Sequence, residues 1–510
     1  MAARMNAWPP HDLAVLTVAE MAAADSAAIS AGTAGIALME AAGRAVADAV
    51  LRRLSDDGHV LVLCGPGQNG GDGFVAARLL RERGCSVTLA LAGDRSSLRG
   101  DARIAASRWA GAVATLDAID PSHFAVIVDA LFGAGLTRPL DGDVAALVAR
   151  VNASGRPVIA VDLPSGIHGD TGRALGPAIE ADETVTFFRA KPGHLLHPGR
   201  RQCGRVTVAE IGISAAVAFA PGAVSPSIAR NAPGLWRAHM PDHAADVHKY
   251  GRGAVTVAAG GLAAVGAPRL GARAALRAGA GLATVICRPE ALAAHASRGP
   301  DALMQRAAVD AAAFAAACSE RRVGALLIGP ALGLDAEAEA WVAVAMRAEA
   351  PCVFDADALT HLAAGRDGGG WEALRHRTHA TVLTPHDGEF VRMFSEADGF
   401  QRWHGKLARA RLAASRTGVV VILKGPDTVI AAPDGRAAIN ETGSPALATA
   451  GSGDVLGGIV AGLLAQRMPA FEAACAAVWL HGRAGEELGL GLIADDLPDA
   501  IPRQLARLRG

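Results

Sequence analysis

Cysteine, aromatic residues and net charge are all scarce in this sequence of 510 residues. The seven cysteines lie far apart and include no CxxC pair, which argues against both a disulfide framework and a zinc site. Aromatic residues make up only 4%, whereas glycine occurs 60 times; glycine lets backbone approach a helix or a ligand closely. The formal net charge of -1 gives no overall field that favours a nucleic acid or a membrane. We therefore expect small-molecule partners.

Hydrophobic runs long enough to cross a membrane are also missing. The uncharged stretch at residues 253–268 is short and interrupted by glycines, so it does not suit a transmembrane helix. The first residues, MAARMNAWPPHD, lack the apolar core of a signal peptide. These observations predict a soluble cytoplasmic protein. Alanine-rich helices further indicate self-association into a homo-oligomer.

Short β-branched runs alternate with longer amphipathic stretches along both halves of the chain. The first half contains HVLVLC from His59 and FAVIVDA from Phe124, and the second contains AVTVAAGG from Ala254 and VVVILKG from Val419. This alternation is typical of βαβ units and parallel sheets, so we expect the α/β class. The pattern lapses between the halves, which show no mutual similarity. We therefore predict two unlike domains, 1–215 and 237–510, joined by a linker at 216–236.

The first half carries a glycine-rich loop, GPGQNGGDG at 65–73, between a predicted strand and a helix. Its glycines allow tight turns that expose backbone amides, and the helix N-terminus adds partial positive charge. The loop lacks the GxGxxG dinucleotide pattern because polar residues interrupt it. It predicts a phosphate-binding site, and the alternative is a plain turn between strand and helix.

Polar side chains follow two further strands, in DALFGAG from Asp129 and DLPSG from Asp162. The carboxyl ends of parallel strands meet in one crevice, where ligands bind. Asn69, Asp129 and Ser165 together offer oxygen ligands for a monovalent cation. Asp162 is a candidate base, and Lys191 a candidate source of charge or of a proton. Each aspartate taken alone is equally well explained as a helix cap.

Together these three loops resemble the epimerase domain of bifunctional NAD(P)H-hydrate repair enzymes, which reads GxGNNGGDG, DxxxGTG and VDxPSG. The resemblance covers about 17–213 and implies a Rossmann-like three-layer domain. It also implies K⁺ at Asn69, Asp129 and Ser165, and substrate contact or base chemistry at Asp162. Gln68 and Ala134 depart from the family pattern. The implied contacts to the hydrated nucleotide are Gln68, Asn69, Gly70, Gly71, Asp72, Gly133, Ala134, Gly135, Leu136, Thr137, Arg138 and Pro139.

The most specific segment of the second half is TAGSGDVLGG at 449–458, which leads into a helix. Small residues at a helix start form an anion site from backbone amides. Asp454 lies just inside it, where a carboxylate can take a proton from a hydroxyl that attacks a phosphoryl group. The alternative is an aspartate favoured there by the helix dipole. Lys424, after a strand and before a Gly-Pro turn, is a candidate for a nucleotide phosphate.

These and neighbouring segments resemble the ribokinase-like superfamily and, within it, NAD(P)H-hydrate dehydratase, from about residue 237 onward. The shared motifs stand here as HKYGRG, ALRAGAGLATV, GPALG, DADAL, TPHDGE, KGPDT and TAGSGDVLGG, with departures at Ala331, Asp387 and Ser452. The resemblance implies that the hydrate is phosphorylated by ADP or ATP, with Asp454 as base and Mg²⁺ offsetting charge. The implied hydrate contacts are Ala267, Gly333, His386 and Asp454. The implied adenine-nucleotide contacts are Lys424, Gly425, Pro426, Asp427, Thr428 and Gly453.

Two alternatives stand beside this interpretation. The second half is compatible with a small-molecule kinase acting on a vitamin precursor, although the TPH and KGxxT motifs and the fusion argue against it. The first half is compatible with a non-catalytic nucleotide-binding or protein-interaction module. Its complete set of polar residues speaks against that role. Two domains that act on the two epimers of one damaged cofactor form the more coherent pair.

Overall fold

A computed structural model describes residues 8–55, 58–243, 246–320, 323–365, 370–395, 399–401 and 404–509. Part of the N-terminal segment that lacks signal-peptide features thus lies outside the described residues. The chain divides into two compact units, Met1–Ile228 and Ala229–Gly510. This division falls within the segment predicted as a linker. No helix in the described ranges is long and apolar enough to cross a membrane.

The first unit is built on a parallel sheet with strand order β4-β3-β2-β5-β6-β7-β8. A short strand β1 precedes it and bridges to Ala190 through Val15. The strands are β1 (Ala14–Val15), β2 (His59–Cys64), β3 (Ser86–Leu91), β4 (Val113–Ala114), β5 (Val126–Ala130), β6 (Val158–Val161), β7 (Glu183–Phe187) and β8 (Arg205–Ala209).

Helices cover both faces of this sheet because its strands are apolar on both sides. Val60, Val62 and Cys64 join one core with the first four helices, whereas Leu61 and Leu63 join a second core with α5. The result is three layers. The helices are α1 (Val18–Ser30), α2 (Gly35–Leu51), α3 (Gln68–Glu82), α4 (Gly100–Ser107), α5 (Gly142–Ala153), α6 (Gly199–Gln202) and α7 (Ala215–Ala218).

The second unit has a larger mixed sheet, in which strands run in the order β9-β18-β17-β16-β15-β14-β13-β10-β11-β12. Pairing is parallel from β12 to β16 and antiparallel from β16 through β17 to β18. The strands are β9 (Ile228–Arg230), β10 (Ala254–Ala258), β11 (Leu282–Cys287), β12 (Met304–Ala307), β13 (Ala325–Ile328), β14 (Cys352–Phe354), β15 (Thr381–Leu383), β16 (Val420–Leu423), β17 (Val429–Ala431) and β18 (Ala437–Ile439).

One helix of the second unit, α15 (Ser452–Ala465), is almost wholly buried against α8 (Gly266–Arg277), α16 (Ala470–Leu488) and the central strands. Gly458 makes this packing possible, since a Cβ there would lie 2.1 Å from the Gly271 carbonyl oxygen of α8. Both sheets and their helices confirm the α/β class predicted for each half. The helices are α8 (Gly266–Arg277), α9 (Leu292–Ala296), α10 (Ala311–Cys318), α11 (Ala336–Arg347), α12 (Ala356–Ala364), α13 (Asp387–Met393), α14 (Gly405–Thr417), α15 (Ser452–Ala465), α16 (Ala470–Leu488) and α17 (Leu497–Arg509).

Candidate active sites

The first unit contains a cavity of about 600 Å³ at the carboxyl ends of its strands. Its wall is formed by α1 and α2, the start of α3, and the loops that follow β5, β6 and β7. A parallel sheet gathers these loops at one edge, which explains why three separate motifs meet here. The predicted residues that line the cavity are Gln68, Asn69, Asp72, Gly133, Ala134, Gly135, Leu136, Thr137, Arg138, Asp162 and Lys191.

Several glycines of the 65–73 loop serve packing. A Cβ at Gly65 would lie 1.7 Å from the Leu131 carbonyl oxygen, and one at Gly70 would lie 1.9 Å from the Gly65 carbonyl oxygen. Gly70 and Gly71 are buried within α3, and Pro139 is exposed. These three predicted contacts are absent from the residues that line the cavity, whereas their neighbours Asn69 and Asp72 are present.

Asp162 and Lys191 form an ion pair in the cavity wall, with 2.7 Å between Oδ1 and Nζ. The carboxylate also accepts hydrogen bonds from the Thr186 hydroxyl at 3.0 Å and the Ala134 amide at 2.9 Å. Burial opposes ionisation, but Lys191, His194 and the Ala134 amide outweigh it and lower the pKa of Asp162 to about 2. His194 contacts the backbone of the same loop, since its Nε2 lies 2.6 Å from the Asp162 carbonyl oxygen.

The predicted cation ligands also lie together. Asp129 is fully buried and accepts hydrogen bonds from the Ser165 hydroxyl at 2.6 Å and the Ser165 amide at 2.8 Å. With its side-chain amide in the orientation that satisfies both atoms, Asn69 donates to the Val161 carbonyl oxygen and accepts from the Gly133 amide. Burial raises the pKa of Asp129 to about 6. No ammonium or guanidinium within the described ranges forms an ion pair with it.

The start of α15 forms the centre of the second site. Gly451 precedes the helix with a φ of 88°, a left-handed conformation that suits glycine, and Asp454 lies in the first turn. Burial, followed by the nearby Asp355, raises the pKa of Asp454 to about 7 even though Lys424 works against the shift. The carboxyl group therefore changes charge near neutral pH.

Lys424 lies between this helix and two further carboxylates. Its Nζ is 2.9 Å from Asp355 and 3.7 Å from Glu389, and a Cβ at Gly453 would lie 3.4 Å from it. Burial works against its charge, but Asp355 and Glu389 raise the pKa of Lys424. An ammonium at the end of a buried strand thus stands directly beside the amides that open α15.

Hydrogen bonds and an ion pair fix the loop that follows Lys424. The Thr428 hydroxyl donates to the Gly425 carbonyl oxygen at 2.8 Å. The Lys406 ammonium contacts Asp427 at 2.7 Å and the Lys424 carbonyl oxygen at 3.1 Å. Lys406 therefore braces the predicted nucleotide loop from α14.

Comparisons with known proteins agree with both halves. Residues 35–193 match the family model described as YjeF-related protein N-terminus, and residues 255–505 match the one described as NAD(P)H-hydrate dehydratase. The bifunctional NAD(P)H-hydrate repair enzyme Nnr of Moorella thermoacetica is 36% identical over 97% of each chain. Its namesake in Escherichia coli is 32% identical, over 91% of this chain and 88% of the other. This chain belongs to the family of bifunctional NAD(P)H-hydrate repair enzymes.

Two solved structures each resemble one part of this repair-family chain. The ADP/ATP-dependent NAD(P)H-hydrate dehydratase from Bacillus subtilis is 28% identical, with a TM-score of 0.45, over 53% of this chain and 95% of its own. The yeast protein ynu0 is 27% identical, with a TM-score of 0.34, over 38% of this chain and 87% of its own. Membership of the repair family, established over nearly the whole chain, favours hydrate repair over the vitamin-precursor kinase.

Three other residues of this chain are predicted to contact the hydrate, and they lie on helices and loops around the second site. Gly333 donates its amide to Asp357 at 2.9 Å, and Ala267 is in the first turn of α8. That helix approaches the site through Leu270, whose Cδ1 would be 2.7 Å from a Cβ at Gly451. His386 caps α13, and its ring accepts from the amides of Gly388 and Glu389. The described contacts thus connect Asp454, Lys424 and Gly453 directly, and give His386 a capping role.

Three side chains at these sites were missed by sequence reasoning. Asp25 lines the first cavity together with Met21 and Ile29, at the i, i+4, i+8 spacing of one helix face. In the sequence, the signal for Asp25 is a carboxylate on an otherwise apolar stripe of a predicted helix. Lys406 and His481 reach the second site from helices distant in sequence. His481 is buried and lies 3.1 Å from the Ser452 hydroxyl, and no local pattern marks it.

Proposed function

We propose that this chain regenerates NADH and NADPH from their hydrated forms. The first unit interconverts the R and S epimers of the hydrate, and the second unit dehydrates the S epimer at the expense of ADP or ATP. The observation that carries the proposal is Asp454, a carboxyl group that titrates near neutral pH, in the opening turn of α15 beside Lys424. Membership of the repair family supplies the substrate.

In the second unit the backbone amides of α15 hold the terminal phosphoryl group, and Lys424 neutralises part of its charge. Asp454 takes the proton of the C6 hydroxyl while that oxygen attacks the phosphorus. The bond from phosphorus to the bridging oxygen breaks and leaves AMP from ADP, or ADP from ATP. The C6–O bond then breaks with loss of inorganic phosphate, and loss of a proton from C5 restores the double bond of the nicotinamide. Phosphorylation turns a poor leaving group into a good one.

Mg²⁺ fits the oxygen chemistry of this site. It usually binds one or two carboxylates together with substrate phosphates, and Asp355 and Glu389 lie beside Lys424. Bound Mg²⁺ would offset the charge of the nucleotide phosphates. The nucleotide itself would lie along the loop from Lys424 to Thr428 and reach Gly453. Ala267, Gly333 and His386 would contact the hydrate.

In the first unit the cavity between α1, α3 and the strand ends would hold the hydrated nucleotide. Asp162 and Lys191 would contact it as a fixed ion pair. The low pKa of Asp162 supports contact over base chemistry, because a carboxylate that stays ionised down to pH of about 2 is a weak proton acceptor. The contacts would come from Gln68 to Asp72 and from Gly133 to Pro139, with Gly70, Gly71 and Pro139 acting through the shape of their loops.

K⁺ fits the pocket formed by Asn69, Asp129 and Ser165. These side chains offer the oxygen donors that a hard monovalent cation prefers, and Asp129 is a buried carboxyl group with a raised pKa. A bound cation would supply the positive charge that the described neighbours of Asp129 do not. It would thereby fix the loops that follow β5 and β6.

The test uses purified S hydrate and purified R hydrate separately. The chain with Mg²⁺ and either ADP or ATP should convert S hydrate to NADH with one phosphate released for each NADH formed. Without nucleotide it should convert R hydrate to S hydrate. Comparison of ADP with ATP, and of NADH hydrate with NADPH hydrate, settles the preferred substrates. Failure of S-hydrate dehydration with both nucleotides would contradict the proposal.

The proposal also includes the cellular location and the oligomeric state of the chain. The chain would act in the cytoplasm, where NADH and NADPH are used, and would do so as a homo-oligomer. Light scattering of the purified protein measures its mass directly. A mass equal to that of one chain of 51.7 kDa would contradict the oligomer.

A further inference from the structure

The first cavity contains more carboxyl groups than its ion pair uses. Asp25 from α1 and Asp72 from α3 line it together with Asp162 and Lys191. Asp162 is occupied by Lys191, Thr186 and the Ala134 amide. By contrast, within the part of the chain that the structure describes, neither the Asp25 nor the Asp72 side chain forms a hydrogen bond or an ion pair. Their oxygens therefore remain available to a bound ligand.

The placement of these two groups follows from their helices. Met21, Asp25 and Ile29 form one face of α1 toward the cavity, and Gln68, Asn69 and Asp72 form one face of α3. The two carboxyl groups therefore enter from different walls. A Cβ at Gly133 would lie 2.9 Å from Asp162 Oδ2, so the ion pair belongs to the strand-end wall instead.

The surroundings of these two carboxyl groups raise the pKa of both. Burial raises the pKa of Asp25 to about 6, with Lys191 opposing and Asp162 adding to the rise. Burial, then Asp162 and Asp25, raise the pKa of Asp72 well above its usual range. Asp101 and Arg138 also line the cavity. Asp25 thus ionises at about pH 6, whereas Asp72 holds its proton more firmly than an ordinary aspartate, and this difference suits a general base and a general acid.

We infer that Asp25 and Asp72, and not Asp162, carry the proton transfers of the epimerisation. This inference rests on the proposed function of the first unit. Ionised Asp25 takes the proton of the C6 hydroxyl, the N1–C6 bond breaks with its electron pair moving to N1, and Asp72 protonates N1. C6 is then an aldehyde that can turn about the C5–C6 bond. Closure from its other face returns both protons and inverts C6.

The test is the rate of epimerisation of R hydrate by Asp25→Asn, with spontaneous epimerisation subtracted. Loss of a general base costs about 10²- to 10⁴-fold, so we expect a decrease of that size. Dehydration of S hydrate by the same variant should be unchanged. Glu82→Gln, an exposed substitution on α3, is the matched control and should epimerise like the unaltered chain.

The pH profile separates proton transfer from a structural role. In the unaltered chain the epimerisation rate should rise with pH through about 6, as Asp25 ionises, and should fall at higher pH as Asp72 loses its proton. Asp25→Asn should lose the rising limb. Thermal unfolding should show no loss of stability, because an amide avoids the penalty of burying a charge.

Epimerisation by Asp25→Asn at the unaltered rate, or persistence of the rising limb, would overturn the assignment. Absence of epimerisation by the unaltered chain would instead contradict the proposed function of the first unit. The two failures are thus distinguishable.

Discussion

The two sites of this chain use the same kind of charge arrangement on different folds. In the first unit Lys191 is 2.7 Å from Asp162, and in the second Lys424 is 2.9 Å from Asp355. Each ammonium thus forms an ion pair with one carboxylate. Each site also contains a carboxyl group with a raised pKa, Asp25 at about 6 and Asp454 at about 7.

The difference lies in what surrounds the titrating group. Asp454 lies in the first turn of a buried helix beside amides that suit an anion, so in the proposed reaction its proton would be exchanged next to a phosphoryl group. Asp25 lies on an apolar helix face in a cavity wall. Phosphoryl transfer and epimerisation both need a carboxyl group that titrates near neutral pH, but only the first needs an anion site beside it. The comparison therefore supports the proposal that the charged pairs serve binding and that the carboxyl groups with a raised pKa serve proton transfer.

The largest expected effect is on dehydration in Asp454→Asn. Removal of the general base should lower the rate by about 10²- to 10⁴-fold, because the amide cannot take the hydroxyl proton. Phosphate release from S hydrate and ADP measures it. Epimerisation should be unchanged, and Asp310→Asn, an exposed helix cap for which asparagine is an equal substitute, serves as the control. Equal dehydration rates for Asp454→Asn and the unaltered chain would show that Asp454 does not transfer the proton, and would contradict the proposed contrast between the ion pair and the carboxyl group with a raised pKa.

The two lysines should differ in their effect on stability. Lys424→Met leaves Asp355, which is almost fully buried, without its partner, and should cost about 3–5 kcal/mol in the free energy of unfolding. Lys191→Met should cost less, about 1–3 kcal/mol, because Asp162 keeps two hydrogen-bond donors. Denaturant unfolding measures both. The double variant Lys424→Met/Asp355→Asn should recover most of the loss, and no recovery would show that the pair is not the cause.

A smaller effect is expected on the cation dependence of epimerisation. Asp129→Asn removes the only carboxylate of the proposed K⁺ ligand set and should weaken K⁺ activation by at least about tenfold. Titration with KCl at constant ionic strength measures it, with LiCl as the control salt. Unchanged K⁺ activation in Asp129→Asn would exclude this pocket as the cation site.

The smallest effect is the pH dependence of dehydration. Asp454 acts as a base only when ionised, and its pKa is raised to about 7. The rate should therefore rise with pH through this value and level off above it, falling about tenfold per pH unit well below it. A rate that falls as pH rises through neutrality would indicate that Asp454 acts in its protonated form.

The motifs at strand ends were predictable because a parallel sheet gathers such ends in one crevice. Strand β2 has the bounds of the run HVLVLC, and the loops from Asp129 and Asp162 meet as expected. The short antiparallel strands β17 and β18 were missed, since three residues carry too little periodicity. Asp25, Lys406 and His481 were missed because each reaches its site from a helix distant in sequence. A pKa raised by burial depends on the whole surroundings of a group, which no local pattern contains.

The most direct test of the central claim is recovery of NADH from a mixture of R and S hydrates with Mg²⁺ and ADP or ATP. Near-ultraviolet absorbance measures the NADH formed. We predict that the unaltered chain recovers the whole mixture, and that Asp25→Asn recovers quickly only the S share, with the R share following at the spontaneous rate of epimerisation. Rapid recovery of the whole mixture by Asp25→Asn would contradict the assignment of proton transfer in the first unit. Recovery of only the S share by the unaltered chain would contradict the claim that both units act on one damaged cofactor.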